Sequence, residues 1–184
     1  MNIRNFSALL TIIISLFLNA CSKSMVNTPE NMAKAAAQAI IKNDTIAFDK
    51  LIINRKVAIV MYSGLIKAAK SSNIHKQRIP LMMQTLSTIK ADTNNPLTRV
   101  QTKIKASFTK LISDAKRDGV DLSKATFDKV ADIRSEQHLN RIKYDIYFTL
   151  SFKGSKYVVR LDSVVKVVNR LYLLNRIKWK GKLK

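Results

Sequence analysis

Few side chains in this sequence could carry chemistry, and they are thinly spread. Cys21 is the single cysteine, ending the run Leu18-Asn19-Ala20-Cys21 just after the apolar stretch 8–18. There are two histidines. His75 sits in the polar segment SSNIHKQR and His138 lies between Gln137 and Asn140, so both are expected on the surface. Asp145 and Asp162 alternate with apolar neighbours and are expected to face solvent, paired with Lys or Arg across strands. An active site needs a buried acid or histidine with a partner that tunes its pKa. The sequence has no HExxH, no Gly-rich phosphate loop and no GxSxG. No enzyme and no cofactor are expected from it.

The cations are a different matter. Lys and Arg number 33 against 12 acids, and the formal charge is +21. Such an excess implies attraction to an anionic surface: phospholipid, lipopolysaccharide, cell-wall polymer or nucleic acid. The alternative is a codon bias toward Lys, Asn and Ile, but such a bias would raise Glu as well. Nucleic acid is not expected, because no recognised binding motif is present. Candidate contacts are Arg99, Lys103, Lys110 and Arg117 on one helix. Arg160, Lys166, Arg170, Arg176 and Lys178 join them from the polar faces of strands. The plainer reading, in which these charges only keep outer faces soluble, stays open.

The N-terminus resembles that of a bacterial lipoprotein precursor. Residues 1–5 are polar with one cation, Arg4, and residues 8–18 (ALLTIIISLFL) are almost wholly apolar. Eleven residues are too few to cross a ~30 Å hydrocarbon core, which takes about 20. The stretch therefore fits a signal-peptide core over residues 1–20, and Leu18 to Cys21 resembles a lipobox. The resemblance implies cleavage before Cys21, acylation of its thiol and a membrane anchor. Two or three acyl chains hold stably where one is marginal. Ser22 is not the Asp that retains enteric-type lipoproteins at the inner membrane, which favours the outer membrane facing the periplasm. Residues 21–28 read as an acylated tether. With no second cysteine, the exported domain must be stable without disulfides.

Residues 29–184 are enough for one domain with a real core. Thr28-Pro29-Glu30 opens a helix to about Lys42, with Thr as cap and Pro at the first position. Asn43-Asp44 makes a turn into a short helix over 45–52. Residues 55–70 lean to helix, with Gly64 as a weak point. Pro80 lies near the start of another, striped by Ile79, Met82, Met83, Leu86 and Ile89, with the methionines as core filler. Asn94-Asn95-Pro96 starts the clearest helix. Leu97, Val100, Ile104, Phe108, Leu111, Ile112 and Ala115 share one face, and the basic residues oppose them. Gly119 ends it. From about residue 125 the period becomes 2. A weak strand spans 127–137, a strong one surrounds Tyr144 to Phe152, and Lys153-Gly154 turns into a partner strand from Tyr157. A final strand carries Leu171, Leu173, Ile177 and Trp179 on one face.

Helices over about 29–118, followed by a meander over about 125–180, predict an α+β fold. N-terminal helices pack on a curved antiparallel sheet of about four strands. This order resembles the cystatin-like, nuclear transport factor 2-like fold, and small envelope lipoproteins of unknown function that share it. The segments carrying the resemblance are Pro29 to Ile52, the Gly-ended helix, the Lys-Gly hairpin and the closing Asn175-Arg176-Ile177-Lys178-Trp179-Lys180. The region 54–95 is longer and more helical than that pattern. The resemblance implies a non-catalytic, membrane-anchored module with a basic surface. Two alternatives are an accessory subunit of an envelope machine (secretion, conjugation or exclusion) and a cone that binds a small molecule.

Overall fold

The computed structural model describes residues 26–71, 73–92, 95–138 and 141–183. The expected signal peptide, Cys21 and residues 22–25 of the tether lie outside the described residues, as do the side chains of His75 and His138.

Local chemistry explains where the helices begin and end. Helix α1 (Pro29–Ile41) is capped by Thr28 Oγ1, which accepts from Asn31 N–H at 3.2 Å. Asn43 takes a positive φ of 48° in the turn that follows. Asp44 then caps α2 (Thr45–Asp49) by accepting from Ala47 N–H at 2.8 Å. Helix α3 (Arg55–Lys70) runs unbroken through Gly64, and a 3-10 turn (Asn73–Arg78) leads into α4 (Ile79–Ala91). Helix α5 (Pro96–Arg117) starts on Asn95, whose Oδ1 accepts from Leu97 N–H at 2.9 Å. It stops at Gly119, at φ 74°, a conformation glycine adopts without penalty.

Five antiparallel strands follow a short 3-10 turn (Leu122–Lys124): β1 (Thr126–His138), β2 (Arg141–Phe152), β3 (Ser155–Val167), β4 (Arg170–Leu173) and β5 (Ile177–Lys182). The order is β1-β2-β3, and β4 and β5 both pair with β3 on its other side. The expected last strand is thus two, broken at residues 174–176. The cause lies opposite. Ser163 has a φ of 59°, and the β2–β3 register slips between Tyr144 and Ile146. This bulge reverses which side chains face inward beyond Asp162.

The consequence is a sheet with two cores. On one side Met32, Ile40, Phe48, Ile104, Phe108, Phe148 and Leu161 form the main core, with Phe48 and Phe108 stacked at 4.3 Å. On the other side Val165 and Val167, turned outward by the bulge, pack with Ile53, Ala58, Met61, Ile89 and Leu97. The α3–α4 hairpin therefore covers one end of the outer sheet face. This is what the additional helical region 54–95 does.

Polar clamps hold that hairpin. Arg141 donates to the carbonyls of Met61 (3.1 Å) and Lys166 (3.2 Å), and burial pulls its pKa down. Arg55 donates to the Ile89 carbonyl at 3.0 Å and pairs with Asp92 at 3.3 Å. It neutralises the negative end of α4. The expectation that both methionines fill a core fails for Met83, which is 52% exposed. It lines an open cleft between α3 and α4 with Ile66, Lys67 and Leu86.

Candidate anion-binding groove

Helix α5 and strand β5 sit side by side, fastened by two hydrogen bonds. Ile177 N–H donates to Ser107 Oγ at 3.0 Å, and Ser107 Oγ in turn donates to the Ile104 carbonyl at 2.7 Å. Trp179 Nε1 donates to Asp118 at 2.7 Å. The indole also stacks on Tyr157 at 5.4 Å. The buried faces of both elements point to the main core, so their polar faces flank a shared groove of about 410 Å³.

Five cations line it: Lys103 and Lys110 from α5, Arg176 just before β5, and Lys178 and Lys180 within it. Its lining holds one carboxylate, Asp114. Asp114 is already engaged by Lys110 at 3.1 Å and Arg117 at 3.0 Å. Lys178 reaches Asp162 at 2.7 Å, and Arg176 approaches it loosely at 3.8 Å. Among the described residues, Lys103 and Lys180 have no ion pair. A cleft lined by one sign of charge concentrates its field and raises the local level of counter-ions. Phosphate or carboxylate groups match this lining chemically.

The nine basic residues expected to meet anions fall into four settings. Lys103, Lys110, Arg176 and Lys178 are brought together in the groove, while Arg99 and Arg117 lie exposed near the two ends of α5. Lys166 and Arg170 flank the β3–β4 turn instead, and Arg170 donates to the Lys50 carbonyl at 3.1 Å. Arg160 is not an open surface cation. It is held by Asp145 at 2.8 Å and by Asp162, with Tyr147 packed 5.3 Å from its guanidinium.

Asp162 likewise departs from expectation: it is 4% exposed. Arg160, Arg176 and Lys178 converge on it at the bulge, which takes it out of solvent. Asp145 accepts from Ser163 N–H at 2.8 Å. Burial pushes the Asp145 carboxyl up, but that hydrogen bond and Arg160 outweigh it and leave the pKa below the ordinary value. Burial lowers Arg160, and its two carboxylates more than reverse this. Lys180 was missed in the sequence, although it continues the period-2 spacing of Arg176 and Lys178.

Two other cavities lie elsewhere in the fold. One of about 500 Å³ lies between the ends of α1 and α5, lined by Ile40, Ile112, Val120 and Leu122 among others. One of about 170 Å³ lies under α3 and α4, where burial raises the Tyr62 hydroxyl pKa. Among the described residues, no group of three or more His, Cys, Asp or Glu could hold a metal, and no helix is long and apolar enough to cross a membrane. No family model, curated protein or solved structure matches this chain.

Proposed function

We propose that this protein is a lipid-anchored component of a bacterial envelope whose α5–β5 groove binds phosphate-bearing anions without catalysing a reaction on them. The observation that carries the reading is a groove lined by five cations, of which Lys103 and Lys180 have no ion pair among the described residues, while its one carboxylate is already paired. Each Lys or Arg held against an anionic surface contributes ~1 kcal/mol. The lipobox-like run ending at Cys21 supplies the envelope location. Phosphate of this kind comes from glycerophospholipid, from lipopolysaccharide or from a phosphate-bearing wall polymer.

The test is sedimentation of residues 22–184, which include every described element. The arms are vesicles of phosphatidylcholine, the same with phosphatidylglycerol, the same with lipopolysaccharide, and insoluble cell wall. A salt series runs from low ionic strength to 1 M, where the screening length falls to ~3 Å. Salt-sensitive binding to an anionic arm is expected, and the arm bound most tightly identifies the source. Absence of binding in every arm at low salt would sink the reading and redirect it to an acidic protein of an envelope machine.

A further inference from the structure

A hydrogen bond locates the N-terminal end of the described domain. Leu171 N–H, at the start of β4, donates to the Val26 carbonyl at 2.7 Å. The chain therefore leaves the domain beside the β3–β4 turn, Val168-Asn169. Cys21 is five residues before Val26, a fully extended reach of roughly 18 Å. Strand β3 has 13 residues, so the opposite turn, Lys153-Gly154, lies roughly 40 Å away.

The two turns differ in chemistry. At the far turn Lys153 and Gly154 both take positive φ, 47° and 73°, with glycine where it is cheapest. At the near turn the positive φ, 56°, falls on Val168. A β-branched residue is strained there, and Gly or Asn would not be. Val168 is also 83% exposed, the most of any large hydrophobic side chain among the described residues. Exposed Lys166 and half-buried Arg170 flank it, and Arg170 donates to the carbonyl of exposed Lys50 at 3.1 Å.

We propose that the protein stands on its anchoring membrane on the β3–β4 turn. Val168 enters the interfacial layer, and Lys166, Arg170 and Lys50 lie against anionic headgroups. The inference rests on the lipid anchor proposed above. An apolar tip ringed by cations matches the chemistry of an anionic bilayer surface. One consequence concerns the groove. Arg176 to Lys180 lie five to nine residues beyond Leu171 along the sheet, roughly 17–30 Å from the tip. The groove then addresses anions beyond the anchoring leaflet.

The test uses the full acylated protein in phosphatidylcholine–phosphatidylglycerol vesicles. Val168→Cys, Lys110→Cys and Lys153→Cys are each labelled with a fluorophore and read by lipid-borne quenchers; acylation blocks Cys21. Quenching at 168 alone is expected. Stable flotation with quenching at 110 or 153, or equally at all sites, overturns the docking while leaving the anchor. Protein that washes off in high salt overturns both. A second variant separates docking from folding. Val168→Asn relieves the strained φ, so stability holds or rises, while affinity of the unacylated domain for these vesicles falls about tenfold. Unchanged affinity would overturn the proposal.

Discussion

Two basic regions meet at β5 and use the same residue types in opposite ways. On the outer sheet face Arg160 and Lys178 converge on the buried Asp162, and Asp145 completes the cluster. In the groove on the other flank of the strand, Lys103 and Lys180 are unpaired among the described residues and Asp114 is shared by Lys110 and Arg117. The first region satisfies its charges internally and contributes to holding the bulge. The second leaves charge over for something outside. Positive charge by itself therefore does not mark a binding surface; the number of carboxylates within reach does.

The sharpest way to break this comparison is Asp162→Ala. It leaves Lys178 without its acid and Arg160 with Asp145 alone in a half-buried site, and a loss of about 3 kcal/mol or somewhat less in urea denaturation is expected. A loss below about 1 kcal/mol would mean that the outer cluster is no more structural than the groove.

Asp145→Ala comes next, at about 2 kcal/mol, because it removes a charged acceptor from Ser163 N–H and from Arg160. Its pH dependence has a definite sign. The folded carboxyl has a pKa below its ordinary value. Its contribution is thus fully present above the unfolded pKa, ~3.9, and is lost as pH falls through the lower folded value. Urea midpoints between pH 6 and pH 2 should fall more steeply for the native chain than for Asp145→Asn.

Lys103→Gln sharpens the other side. Its stability should stay within about 0.5 kcal/mol of the native chain, while affinity for the preferred anionic arm drops by about 1 kcal/mol, roughly fivefold. The smallest effect is expected of Asp114→Asn. It gives up ion pairs with two exposed cations, about 0.5 kcal/mol of stability, yet it should raise anion affinity by removing the groove's carboxylate. Weaker anion binding in Asp114→Asn would show that Asp114 orients Lys110 and Arg117 rather than opposing the ligand.

The elements themselves were legible because their signals are local. Thr28, Asp44, Asn95 and Gly119 mark helix ends through atoms within a few residues of themselves. The alternation from Tyr144 to Phe152 places Ile146, Phe148 and Leu150 inside, as read. The candidate site was legible only in part. Four of its five cations were named from their spacing, but nothing in that spacing separates Lys103, left open, from Arg160, enclosed by two acids. The sequence assigns Asp162 a Lys or Arg partner across strands, which Arg176 and Lys178 supply, but it places Asp162 in solvent because alternation does not count how many cations converge.

What the sequence determined by itself is the order of helices and strands, the polar and apolar side of the helices and of the strands before the bulge, and the excess of positive charge. These follow from periodicities of 3.6 and 2 and from caps that close within one turn. The tertiary structure alone decided three things. Ser163 bulges and sends Val165 and Val167 to a second core. Residues 54–95 fold over that core as a hairpin. Helix α5 lies against β5, some seventy residues later in the chain, so that a helix stripe and a strand face become one groove. Each depends on which distant segment supplies the packing surface, and local spacing does not encode that choice.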